Sequence, residues 1–261
     1  MEVLIFPSSA EVCLQAARII AATVRARPSA VLGLATGSTP RPIYAELVRQ
    51  HRTEGLSFRG VTTFNLDEYV GIDATHPCSY RRYMAEVFFN QVDVAPGQTH
   101  VPDGMAADVP RECADYEAAI RRAGGIDLQL LGLGGNGHIG FNEPSSSLGS
   151  RTRIKTLAEG TRIANCGCVP AGEELPRHVL TMGIATILEA RRCLLVAYGA
   201  HKADAVAEAV EGPLRALMPA SALQLHPHTT LLIDEAAAGR LNLRDYYRQV
   251  TAGKPAWQRE T

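Results

Sequence analysis

The sequence predicts an α/β protein with an open, mostly parallel, Rossmann-like sheet and helices on both faces. Short apolar runs alternate with helix-length amphipathic stretches from end to end, as repeated strand–helix units require. The runs are apolar at nearly every position rather than every second one, which marks strands buried on both faces. The chain has 261 residues, 46% of them hydrophobic and 20% charged, enough to build a core without staples. No linker of Pro/Ser/Gly composition and no internal repeat is visible, so residues 1–261 read as one domain.

Residues 3–6 form the first expected strand. Ser8 and Glu11 then make a capping-box pattern, opening a helix to about Arg27 with Leu14, Ala17, Ile20 and Val24 near helical spacing. Residues 30–34 are an apolar strand that runs into the turn Ala35-Thr36-Gly37-Ser38-Thr39-Pro40. The proline sits near the first turn of the next helix, which carries Ile43, Leu47 and Val48. Residues 61–65 are a strand followed by Leu66-Asp67-Glu68-Tyr69. Helices are expected over 79–89 and over 110–123, the latter ending at Gly124-Gly125. Residues 126–133 are the clearest buried strand and lead into a glycine-rich segment, 132–140. A strand at 192–198, a helix at 200–210 and a strand at 229–233 complete the series. Residues 160–176 are the least regular stretch and read as a candidate lid.

The net charge is −1, which leaves no basic excess for nucleic acid. No apolar run approaches the ~18–20 residues of a membrane span, and the N-terminus lacks the basic start and long apolar core of a signal peptide. The six cysteines, Cys13, Cys78, Cys113, Cys166, Cys168 and Cys193, are scattered, with Cys166-Gly-Cys168 as the one close pair. In a chain of this length they read as reduced thiols of a cytoplasmic protein.

Ligands of open parallel sheets bind beyond the carboxyl ends of the strands, and three such ends carry unusual residues. Thr36, Gly37, Ser38 and Thr39 combine a flexible backbone, hydroxyl donors and a helix N-terminus; they fit a small phosphate site or an ordinary turn. They match neither the P-loop nor the dinucleotide fingerprint. Asp67 and Glu68 suit a general base and its electrostatic neighbour, or acids drawn to a helix start. His138 follows the glycine-rich turn, with Glu143 five residues on to orient the imidazole, as acid partners of catalytic histidines do. His226-Pro-His228 lacks a third ligand or acidic cluster, and no metal site is expected.

Four runs, LGLATGSTPRPIYAEL, FNLDEYVGI…HPCSYRRYM, LGLGGNGHIGFNEPSSSL and SRTRIKTL followed by TRIAN, closely resemble the glucosamine-6-phosphate deaminase family. VLTMGIATILEA and SALQLHP are similar to it too, so the resemblance covers about residues 31–226 in the family's order. The related 6-phosphogluconolactonases lack the Asn-Glu-Pro of this loop.

The resemblance implies an enzyme that isomerises an aldose to a ketose and releases ammonia, turning glucosamine 6-phosphate into fructose 6-phosphate without metal or organic cofactor. By position, Asp67 looks like the base that moves a proton from C2 to C1. His138 looks like the ring-opening group and Glu143 like its orienting partner. Asn136 falls where members carry Asp or Asn. Lys202 matches the phosphate lysine, beside the Thr36, Gly37, Ser38 and Thr39 turn. Ser146, Arg153, Lys155, Thr156 and Tyr246 match an effector site that some members form between subunits, so a homo-oligomer is one implied assembly.

The chain departs from the family at Cys166-Gly167-Cys168, where Gly167 stands in place of a phosphate-gripping arginine; Arg162 and Arg177 are the nearby candidates to replace it. Two other readings remain open at this stage. One is a deaminase for another amino sugar, such as galactosamine 6-phosphate or a weakly phosphate-dependent substrate. The other is a catalytically silent sugar-phosphate sensor.

Overall fold

In the computed structural model, which describes residues 1–170 and 172–255 without the side chains of 164–166, the chain opens with β1 (Glu2–Phe6), α1 (Ser9–Ala26), β2 (Val31–Leu34), α2 (Arg41–Glu54) and β3 (Thr62–Asn65). It continues through β4 (Asp67–Tyr69), α3 (Tyr80–Val87), β5 (Thr99–His100), α4 (Val109–Arg122) and β6 (Leu128–Gly132). Then come β7 (Arg153–Thr156), α5 (Glu159–Asn165), β8 (His178–Thr181), α6 (Ile184–Leu188), β9 (Cys193–Ala197), α7 (Ala203–Val210), β10 (Thr229–Asp234) and α8 (Arg244–Ala252). The expected cap at Ser8 forms, and α4 has a cap that the sequence analysis did not single out. The Ser8 hydroxyl accepts from Glu11 N–H at 3.3 Å, and Asp108 caps α4 by accepting from Arg111 N–H at 3.0 Å. None of the helices is long and apolar enough to cross a membrane among the described residues.

Seven strands form one parallel sheet in the order β1-β10-β9-β6-β2-β3-β5. Every residue of β2 and of β9 is buried, because helices cover both faces. The main core runs through this layer, with Ile20, Leu32, Leu47, Phe64, Leu131 and Leu232 among its fully buried members. Since β9, β6, β2 and β3 are adjacent and parallel, their carboxyl ends share one edge of the sheet. The segments singled out after β2, β3 and β6 therefore meet there, joined by the segment after β9 that carries Lys202.

The sequence reading lacks a second sheet, β4-β8-β7, which is antiparallel. The chain passes from the large sheet to the small one through one residue, Leu66. Its N–H donates to Leu34 O at 3.0 Å, and its carbonyl accepts from Met182 N–H at 2.7 Å. A separate apolar cluster, with Tyr69, Cys78, Phe141, Leu157 and Val179, packs around the small sheet.

Two expectations need correction. Part of the stretch read as irregular is helix α5; seven residues are too few to show helical periodicity in sequence. The cysteines are not all free thiols either, because Cys78 and Cys168 form a disulfide across 90 residues of sequence. Folding brings the loop before α3 against the turn after α5, a proximity that cysteine spacing does not encode. Cys13, Cys113 and Cys193 are free and buried, and the side chain of Cys166 lies outside the described residues.

Candidate active site

A cavity of about 510 Å³ opens at the shared strand edge, and Thr36, Ser38, Asp67, His138 and Lys202 all line it. The turn after β2 is held from behind by tyrosines. Tyr44 Oη donates to Ala35 O at 2.6 Å, Tyr83 Oη to Gly37 O at 2.6 Å and Tyr198 Oη to Thr39 O at 3.4 Å. With its carbonyls tied down, the turn presents a fixed shape at the N-terminus of α2. Pro40 is the N-cap there and no side chain caps the helix, so its first amides stay available to an anion. Gly37 has φ 107°, a conformation that side chains disfavour.

Lys202 stands across the cavity in the turn after β9, half-buried, and burial lowers its pKa. Among the described residues no carboxylate forms an ion pair with it. A desolvated, unpaired cation facing hydroxyls and a helix N-terminus is the electrostatic complement of a phosphate.

Asp67 occupies the first position after the crossover at Leu66 and is 5% exposed. Burial above all, then the adjacent Glu68 charge, pushes its pKa up to about 8, against a hydrogen bond from Thr36. A carboxylate made reluctant to hold its charge is a stronger base, suited to taking a proton from carbon.

The loop after β6 places His138 and corrects one expected contact. His138 Nδ1 meets Asn136 Oδ1 at 2.7 Å, whereas Glu143 Oε2 is 3.8 Å away. Asn136 Nδ2 in turn donates to Glu143 Oε2 at 2.7 Å. Glu143 therefore reaches the imidazole through Asn136. Its carboxylate fixes which way the amide faces, and the amide oxygen fixes the proton on Nδ1. That leaves Nε2 unprotonated in neutral His138. Burial lowers the His138 pKa, the Glu143 charge opposes this and the Lys202 charge adds to it. The ring fits because Gly134 lies beneath it: a Cβ there would come within 2.3 Å of the imidazole. Gly134→Ala should displace His138 and lower kcat by at least about 10²-fold, the scale of a lost general acid–base. Steady-state kinetics beside a thermal melt that still shows folded protein will check this.

Sequence reading missed several wall residues. Tyr80 and Phe141 line the cavity and stack with centroids 6.0 Å apart. Ala158, together with Gly160 and Thr161 from the candidate lid, also forms part of the wall. The aromatics and Thr161 lie within the motif runs quoted above, which was the available signal; Ala158 and Gly160 had none. Gly167 is exposed, with no atom within 4 Å of where a Cβ would be. Neither of its suggested substitutes lines this cavity. Arg162 lies along a neighbouring one and donates to Leu175 O at 3.0 Å, and Arg177 is exposed.

The five residues matched to an effector site are only partly gathered. Arg153, Lys155 and Thr156 share β7, and Arg153 Nη1 donates to Asn142 Oδ1 at 2.8 Å, next to Glu143. Ser146 is buried, and its hydroxyl makes no hydrogen bond. Tyr246 is exposed on α8, which packs against β1 rather than β7. Among the described residues no group of three or more His, Cys, Asp or Glu side chains is placed to hold a metal ion. His226 is buried, its Nε2 2.7 Å from Ala190 O.

A profile of the family described as glucosamine-6-phosphate isomerases/6-phosphogluconolactonase matches residues 8–232. The chain belongs to this family. Within it, the chain is 55% identical to a glucosamine-6-phosphate deaminase of Arthrobacter sp. (strain FB24) over 258 residues, 99% of each chain. It is 52% identical to a protein of the same name from Mycolicibacterium smegmatis, again over 99% of each chain. Among solved structures, a monomeric glucosamine-6-phosphate deaminase superposes with TM-score 0.89 at 48% identity, covering 92% of this chain and 100% of the other. A 6-phosphogluconolactonase of Trypanosoma brucei superposes with TM-score 0.74 at 22% identity, covering 92% and 98%. That second likeness bears on the fold alone.

Proposed function

We infer that this chain is a glucosamine-6-phosphate deaminase, converting glucosamine 6-phosphate and water to fructose 6-phosphate and ammonia. The full-length identity to deaminases carries this reading, and the cavity chemistry supports it. In the roles we propose, the sugar phosphate rests between the Thr36, Gly37, Ser38 and Thr39 turn and Lys202. His138 Nε2 takes the proton of the anomeric hydroxyl and delivers one to the ring oxygen, opening the pyranose to an aldehyde. Asp67 removes the C2 proton to give an enolamine, then returns a proton to C1. The resulting ketimine adds water and loses ammonia. Asn136 and Glu143 hold the His138 tautomer throughout.

Residues 160–176 serve as the lid over this site in our reading, which the cavity contacts of Gly160 and Thr161 support. A charged sugar phosphate does not cross a bilayer unaided, which supports the cytoplasm as the place of reaction. Ammonia release measured with glucosamine 6-phosphate, galactosamine 6-phosphate and free glucosamine tests the assignment. Turnover should be confined to the first; equal turnover of free glucosamine removes the phosphate pocket from the reading.

Lys202 is the cation the cavity wall provides, so Lys202→Ala should raise KM by about 10–150-fold, the scale of one lost charged hydrogen bond. The open space around Gly167 supports a converse result. Gly167→Arg should improve kcat/KM for glucosamine 6-phosphate, and an unchanged value will show that phosphate binding needs no second cation.

A further inference from the structure

Glu68 is 3% exposed and takes no part in the steps above, yet few carboxylates are held so completely. Its Oε1 accepts from Tyr69 N–H at 2.9 Å and Tyr80 N–H at 3.0 Å. Its Oε2 accepts from Ser79 Oγ–H at 2.8 Å and Arg81 N–H at 3.0 Å. Burial pushes the Glu68 carboxyl above the usual carboxylate range, and these four donors oppose it by favouring the ionised form. The negative charge sits at the N-terminus of α3, where the helix dipole favours it. It is also one residue along β4 from Asp67. Successive side chains of a strand face opposite ways, so Asp67 looks into the cavity while Glu68 looks toward α3.

We propose that Glu68 is a positioning residue for the deamination, with two linked effects. Its carboxylate clamps the start of α3 and so fixes Tyr80 in the cavity wall, and its charge keeps Asp67 a strong base. This rests on Asp67 being the proton-transfer base.

The second effect follows from the surroundings of Asp67. Glu68 and Tyr69 approach it on its own strand, Thr36 from the turn after β2, Tyr44 from α2, Tyr80 from α3 and Tyr116 from α4. His138 and Lys202 share its cavity. Burial is the larger cause of the raised Asp67 pKa, and the Glu68 charge is the other raising cause. Two buried like charges in neighbouring positions disfavour ionisation of the second, and a base that holds its proton more firmly accepts one from carbon more readily. The Glu68 backbone clamp supplies what a bare charge would not, a fixed place from which to act.

The test is the pH dependence of kcat/KM for the full-length enzyme, compared among wild type, Asp67→Asn, Glu68→Gln and Glu68→Asp. Substrate ionisations are common to all, so differences between acid limbs report on the protein. Asp67→Asn is the control on the underlying reading: near-wild-type turnover there removes Asp67 as the base. With Asp67→Asn inactive, Glu68→Gln should move the acid limb down by about 1 pH unit and lower the plateau at least about 10-fold. Glu68→Asp keeps the charge with a shorter reach; it should hold the limb within about 0.3 unit of wild type and lower only the plateau. A Glu68→Gln limb at the wild-type pH overturns the proposal, whatever happens to kcat, because loss of a purely structural clamp would lower activity equally at every pH. If Glu68→Gln does not fold, Glu68→Asp decides alone, and a limb displaced by a full unit overturns the proposal.

Discussion

Asp67→Asn should lower kcat by at least about 10²-fold, the contribution of a general base, and should make the protein more stable. The first result follows from the amide's inability to accept a proton. The second follows from linkage. The folded-state pKa of Asp67 is pushed up to about 8 from an ordinary value of 3.8. Between these values the folded protein holds a proton that the unfolded chain has released, so stability falls as pH rises through that window. Above about 8 both states are ionised and the loss is complete.

Asparagine removes this pH-dependent penalty. The melting temperature of Asp67→Asn should therefore exceed that of wild type by an amount that grows from pH 5 to pH 8 and then levels off. Each pH unit of that window costs the folded wild type up to about 1.4 kcal/mol, and one kcal/mol is roughly 2–4 °C in a chain of this size, so the difference at the plateau should be several degrees or more. The wild-type activity should show the same ionisation with opposite sense, kcat/KM falling about tenfold per unit below the limb. A variant less stable than wild type at pH 8.5 contradicts the buried-charge account.

His138→Gln should be nearly as damaging to ammonia release, by roughly 10²–10⁴-fold, while sparing the proton transfer. In the roles proposed above, the ring nitrogen left free by the Asn136 contact works on the pyranose, and the carbon-bound proton is moved by Asp67. Fructose 6-phosphate opens spontaneously, so it bypasses the step assigned to His138. In deuterium oxide with ammonium present, His138→Gln should still exchange a C1 proton of fructose 6-phosphate at a rate within about tenfold of wild type. Exchange lost as fully as in Asp67→Asn means that the two roles are not separable.

The sequence shows the large sheet because β2, β6, β9 and β10 are nearly continuous apolar runs, buried in a layer between helices. The small sheet lacks such a signature. β4 is Asp-Glu-Tyr, and β7 alternates half-buried and exposed residues around two cations. Its strands are specified by pairing with β8 rather than by their own composition. In the site, sequence reading reaches the groups that face the cavity and not the ones that stand behind them. Asp67, His138 and Lys202 sit at strand ends beside glycines or helix starts, where local pattern points to chemistry. That Asn136 stands between His138 and Glu143, or that Glu68 grips four donors from two segments, depends on side-chain directions, which residue spacing leaves open. The Cys78–Cys168 pair has the same character, a product of two loops meeting.

Leu66 joins the two sheets, bonded to Leu34 on one side and Met182 on the other. Mechanically it is a fulcrum. If the small sheet rocked against the large one about this joint, displacement would grow with distance from it. Asp67 is next to the pivot and would travel least. Arg153, paired with Thr181 on the outer strand of the small sheet, and the lid helix that follows β7 have the longer lever arm. In the roles proposed above, the fold thus sets its proton carrier beside the joint between the sheets and its lid beyond the strand farthest from that joint.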